Sequence, residues 1–92
     1  MAGTIEAAGT PVTSLSLYPN PAQNQLQLTV YGWDANETGT AQLYSVTGAL
    51  VSAFDVKAEA NTVSVNELPA GVYFIHVMRE NSEPAVARFV KN

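Results

Sequence analysis

The 92-residue sequence has no cysteine and a single histidine, His76. A structural zinc site needs four ligands drawn mostly from those two residue types, so the chain cannot supply one. A disulfide framework is excluded by the same count, and the fold must rest on packing alone. Cations are few as well: four Lys/Arg, scattered along the chain, against eight Asp/Glu, for a formal charge of −4. Phosphate recognition needs clustered Lys/Arg, which rules out nucleic acid as a partner. Charge of either sign is sparse, at 13% of residues, about half the ~25% of an ordinary globular domain. No apolar run approaches the ~18 residues of a membrane span. The opening Met1-Ala2-Gly3-Thr4-Ile5-Glu6 lacks the basic and apolar segments of a signal peptide. Helical periodicity is missing throughout. Ala58-Glu59-Ala60 favours helix by propensity, but three residues cannot nucleate one.

What remains is polar without being charged. Ser, Thr, Asn and Gln total 25 against 12 charged residues, while apolar residues make up 47%. That is enough to build one small core, burying roughly 60–65% of the unfolded surface. Residues 1–14 are Ala/Gly/Thr-rich without apolar periodicity and read as a linker or tail. From Leu15 onward, short apolar runs alternate with turn residues. Leu15–Tyr18 is a first strand, stopped by Pro19-Asn20-Pro21, whose imino acids cannot donate to a ladder. Gln25–Tyr31 alternates with period two, placing Leu26, Leu28 and Val30 on one face. Gly32–Gly39 reads as a loop. Ala41–Val46 and Ala49–Val56 form a hairpin about Thr47-Gly48. Asn61–Val65 follows, with Val63 and Val65 sharing a face. Val72–Arg79 is the most continuously apolar strand and so the central one. Asn81-Ser82-Glu83-Pro84 turns into Ala85–Lys91. Seven short strands with Gly/Pro/Asn turns mean an all-β fold, an antiparallel sandwich or a small barrel; the preferred reading is a seven-stranded antiparallel β-sandwich of immunoglobulin or fibronectin III-like type. Leu68-Pro69-Ala70-Gly71-Val72-Tyr73 has the form of a tyrosine corner, in which a Tyr near a strand start bonds back to upstream backbone. Ile75 stands two residues on, where an immunoglobulin domain carries a cysteine.

The chemistry-bearing residues read blandly. If Tyr73, Ile75 and Val77 face the core, His76 faces out, and no Ser, Cys or Asp spacing suggests a triad. The acids Asp34, Glu37, Asp55, Glu59, Glu67, Glu80 and Glu83 fall in loops or at strand ends. They form neither a glycosidase pair nor a calcium loop with alternating carboxylates. Asp34-Ala35-Asn36-Glu37 is the densest cluster and the one candidate for a weak Ca²⁺ site. Asn36-Glu37-Thr38 fits the N-glycosylation triplet, a pattern with a high chance rate. Trp33 and Tyr31 flank Gly32 and could stack on a sugar, although a lone Trp capping a small core is the commoner arrangement. No cofactor or metal site is expected.

Taken in order, four motifs resemble one family, the type A C-terminal sorting domain of type IX secretion cargo in Bacteroidetes-like Gram-negative bacteria. They are Leu15-Ser16-Leu17-Tyr18-Pro19-Asn20-Pro21-Ala22, Leu43-Tyr44-Ser45-Val46-Thr47-Gly48 with Val51, Leu68-Pro69-Ala70-Gly71-Val72-Tyr73-Phe74-Ile75, and Ala87-Arg88-Phe89-Val90-Lys91-Asn92. The likeness spans residues 15–92. It departs from the family pattern at Ala49, where Arg, Lys or Gln is frequent, and at Ser45, where Asp or Asn is common.

The resemblance implies a non-catalytic address label that ends a larger secreted cargo. The cargo's own signal peptide would take it to the periplasm. The β domain would then be delivered to the type IX translocon and an outer-membrane shuttle protein, and a cysteine-peptidase sortase would cut N-terminal to it. The chain would be monomeric, not embedded in the membrane, and a C-terminal fragment of its precursor. Its final location would be the cell surface or the medium. Recognition residues implied are Pro19, Asn20, Pro21, Gly48, Leu68, Pro69, Ala70, Gly71, Tyr73, Phe89, Val90, Lys91 and Asn92. The cleavage region implied is Gly9, Thr10, Pro11, Val12, Thr13 and Ser14. A terminal strand with an unpaired edge would suit docking by strand addition. The rival reading is an accessory fibronectin- or carbohydrate-binding-like sandwich of a secreted hydrolase, which predicts a flat row of exposed aromatics.

Overall fold

Strands account for most of the chain because alternating apolar residues have a sheet face to bury. The computed structural model describes residues 13–80 and 83–92. Among the described residues there are seven strands and no helix. They are β1 (Ser14–Tyr18), β2 (Gln25–Tyr31), β3 (Thr38–Ser45), β4 (Leu50–Lys57), β5 (Glu59–Ser64), β6 (Gly71–Met78) and β7 (Ala85–Lys91). One sheet has the order β1-β2-β5 and the other β4-β3-β6-β7, with every pairing antiparallel. This is the expected seven-stranded all-β architecture in two sheets.

The core lies between the sheets. Leu26, Leu28 and Val30 of β2 and Val63 of β5 meet Ala41 and Leu43 of β3, Tyr73, Ile75 and Val77 of β6, and Phe89 of β7. The period-two faces read from β2 and β6 are the buried ones. As its apolar continuity required, β6 is interior to its sheet, and only half-buried residues look out from it. The exposed β4 is an edge strand.

Three boundaries differ from the sequence reading, each for a local reason. β3 begins at Thr38, inside the expected loop, because Gly39 packs beneath Trp33. A Cβ there would collide with the Met78 carbonyl and approach the Trp33 ring to 2.6 Å, so only glycine permits the close approach. The β3–β4 turn is longer than the two residues expected. Gly48 N–H bonds the Ser45 carbonyl at 2.9 Å, and Ser45 N–H bonds Ala49 O at 2.9 Å. Val46 and Thr47 take the turn, and Gly48 follows at φ 90°, the left-handed residue such loops need. Finally, Ala58-Glu59-Ala60 is where the chain changes sheets. Ala58 is buried and donates its N–H to Glu37 O, and Glu59 turns the backbone at φ 71° directly into β5.

Register assigns every loop to one of two ends. In the larger sheet Ser45 lies opposite Tyr73, and Tyr73 opposite Phe89. In the smaller sheet Tyr18 pairs with Gln27, and Gln25 with Ser64. One end therefore gathers the 19–24 loop, the 46–49 turn, the 65–70 corner and the end of β7. The other end gathers the start of β1, the 32–37 loop, the β4–β5 junction, the end of β6 and the start of β7. The long axis spans 43 Å.

Candidate recognition site at one end of the sandwich

Pro19-Asn20-Pro21 ends β1 and throws the chain across to the last strand. Both X-Pro peptide bonds, Tyr18-Pro19 and Asn20-Pro21, are cis. Asn20 then acts as a short mock strand. Its Oδ1 accepts from Val90 N–H at 2.9 Å, and its Nδ2 donates to Arg88 O at 3.3 Å. Ala22, fully buried, continues the pairing in parallel with Lys91. Its N–H bonds Val90 O at 2.8 Å, and its carbonyl accepts from Asn92 N–H at 2.9 Å. The outer edge of β7 is therefore occupied from Arg88 to Asn92 by the chain's own backbone and one asparagine. The sequence reading expected this edge to be unpaired. That expectation fails here, because a proline-flanked asparagine can satisfy a strand edge without being a strand.

The corner at 65–70 is pinned from two sides. Tyr73 Oη donates to Pro69 O at 2.6 Å, the tyrosine corner expected. Lys91 Nζ donates to Leu68 O and Asn92 O, each at 3.1 Å, with the side chain buried. Its ammonium is thus held by main-chain oxygens rather than by an acidic side chain. The Tyr73 ring stacks on Phe89 with centroids 5.5 Å apart, and Phe89 is fully buried. Gly48 caps the neighbouring turn, where Ser45 Oγ pairs with Thr47 Oγ1 at 2.9 Å and accepts from Ala49 N–H at 3.3 Å. The structure thus collects Pro19, Asn20, Pro21, Gly48, Leu68, Pro69, Ala70, Gly71, Tyr73, Phe89, Val90, Lys91 and Asn92 at one end of the sandwich. Motifs up to 70 residues apart in the chain meet at this end, with Tyr73 and Phe89 buried beneath its surface.

Beside this patch, the outer face of the larger sheet carries a groove of about 360 Å³ lined by Tyr44, Ser45, Val46, Gly48, Phe74 and His76. Tyr44 and His76 rings lie 4.8 Å apart, and Tyr44 Oη donates to Gln42 Oε1 at 2.8 Å. His76 is on the outward face, as read from alternation.

The opposite end is built differently. Trp33 is buried, donates from Nε1 to Thr13 Oγ1 at 2.8 Å, and lies under the Arg79 guanidinium, 5.4 Å from the ring centroid. It seals the core and offers no sugar platform. Tyr31 is exposed on its own. Arg79 donates to Glu37 Oε2 at 2.5 Å, and Glu37 Oε1 accepts from Asp34 N–H at 2.7 Å. The backbone N–H of Asp34, followed by Arg79, holds the Glu37 carboxyl below the usual carboxylate range. Both carboxylate oxygens of Glu37 are therefore already engaged, and no cluster of three metal-ligating side chains occurs among the described residues. Of the expected cleavage region, Gly9, Thr10, Pro11 and Val12 lie outside the described residues. Thr13 is tied to Trp33, and Ser14 opens β1 opposite Tyr31. Sequence reasoning missed the Arg79–Trp33–Glu37 knot, since no motif links three residues so far apart.

The fold is two antiparallel sheets with the motif residues gathered at one end. The profile of the secretion system C-terminal sorting domain matches residues 16–92, and the chain belongs to that family, the sorting domains of type IX secretion. A search among curated proteins gave no match.

Proposed function

We propose that this chain is a non-catalytic tag that directs a larger cargo across the outer membrane by type IX secretion and is then removed. The family supports the sorting role. The observation that carries the mechanism is the separation of the two ends. Cargo would join at the Thr13 end, while the Asn20–Lys91 patch stands at the opposite end, clear of it. A partner in the translocon or an outer-membrane shuttle protein would read that patch during periplasmic transit. A cysteine-peptidase sortase would then cut before the sandwich. Thr13 and Ser14 are held by Trp33 and β2, which favours a cut N-terminal to them, within the Gly9–Val12 part of the Gly9–Ser14 region. The cargo ends at the cell surface or in the medium.

The test fuses residues 1–92 behind a signal peptide and a reporter in a type IX-competent strain. Reporter should reach the surface or medium, remain in the periplasm in a translocon-deficient strain, and end in its mature form before Thr13. Export that is independent of the translocon would refute the proposal.

A further inference from the structure

The outer-sheet groove has features that the sorting role leaves unused. Residues opposite one another across an antiparallel ladder share a face. Tyr44 pairs with Phe74 and Phe74 with Arg88, while Gln42 pairs with His76 and His76 with Val86. Arg88 and Val86 therefore extend the groove's aromatic row across β7, on the same side as Phe74 and His76. Val46 and Val86 are 65% and 55% exposed, so the strip is apolar and open to solvent.

Charge is distributed unevenly about this strip. Of the seven described acids, only Glu67 stands in the half with the motif patch. Asp34, Glu37, Asp55, Glu59, Glu80 and Glu83 stand toward the other end, together with Lys57 and Arg79. Lys91 is spent on two carbonyls, and Arg79 on Glu37 and Trp33. Arg88 is exposed and has no ion-pair partner among the described residues. An apolar groove bordered by one exposed cation, on the half of an acidic molecule that is nearly clear of acidic side chains, selects an acidic ligand with an apolar side chain. Strand addition at the neighbouring β7 edge is blocked from Arg88 onward by Asn20 and Ala22. The face is therefore what that strand can offer.

We propose that the Tyr44–Phe74–His76 groove with Arg88 is a docking site for an acidic protein segment of the export machinery. The segment seats one apolar side chain in the groove against the rings and sets a carboxylate against Arg88. This rests on the sorting function above. The acidic far end repels the same segment, which orients the encounter so that the groove arrives first.

The test uses the reporter fusion carrying residues 1–92. Phe74→Thr and Arg88→Glu should each lower surface export at least tenfold, with thermal unfolding of the purified domain shifted by no more than a few degrees. Tyr31→Ser, exposed at the other end, should export as the parent does. A benzophenone amino acid at Val86 should crosslink to an outer-membrane component of the machinery through a peptide rich in Asp or Glu. Undiminished export of folded Phe74→Thr and Arg88→Glu overturns the groove while leaving the sorting reading intact. A parent fusion that is not exported overturns both. A crosslink to a second copy of the chain, or a dimer of the purified domain that Phe74→Thr dissolves, assigns the groove to self-association and overturns the proposal.

Discussion

Tyr73 and Glu37 show how single side chains hold the two ends of the sandwich. The Tyr73 phenol ties the strand start to Pro69 O at 2.6 Å. Tyr73→Phe keeps the ring stacked on Phe89 and removes one hydrogen bond, at a cost of about 1 kcal/mol. For a domain of this size that lowers the melting temperature by roughly 4–8 °C, which calorimetry would show. At the far end, Glu37 is ionised more readily when folded than when unfolded, because Asp34 N–H and Arg79 bind its charged form. The sign follows from linkage. The stabilisation is present above the unfolded carboxylate range and is lost as pH falls through the lowered folded value. The melting temperatures of the parent and Glu37→Gln should therefore differ at pH 7 and converge as the solution is acidified from about pH 4.

Among the elements, β7 has two separable roles. Its inner face inserts the fully buried Phe89, so Phe89→Ala should cost about 3–5 kcal/mol and unfold much of the population, measurable by urea denaturation. A deletion of Phe89–Asn92 would test folding before it tested recognition. Its outer edge is closed by Asn20, which is exposed and whose side chain bonds to the backbone of Arg88 and Val90. Asn20→Ala should cost no more than about 1–2 kcal/mol and speed amide exchange at Val90. The alternation in β2 and β6, and the tyrosine corner, were readable because each depends on residues a few positions apart. The clasp between Asn20 and Val90 was not, since nothing local to either residue announces the other.

For the molecule as a whole, the arrangement of ends governs what can be attached. A cargo at the Thr13 end leaves the motif patch open. Asn92, by contrast, is bonded through its N–H to Ala22 O and through its carbonyl to Lys91 Nζ, in the middle of the patch. A globular tag joined after Asn92 should abolish export, and the same tag placed before residue 1 should leave it unchanged. Fractionation of the fusions reads both outcomes. The sparse charge is likewise more ordered in space than in the chain, since six of the seven described acids, scattered in sequence, stand toward one end.

Sequence by itself determined an all-β antiparallel fold: absent cysteine, period-two apolar runs and closely spaced turn residues leave a sandwich or a small barrel as the way to bury this chain, and the two separate sheets decide for the sandwich. Its four ordered motifs also determined the family. Only the tertiary structure decided that those motifs converge, that the terminal edge is already clasped, that Trp33 is sealed beneath Arg79, and that an aromatic groove beside Arg88 is left open. The reason is physical. Strand formation answers to neighbours two residues away, whereas edge satisfaction, ion pairing and grooves are made by residues that meet only after the sheets have closed.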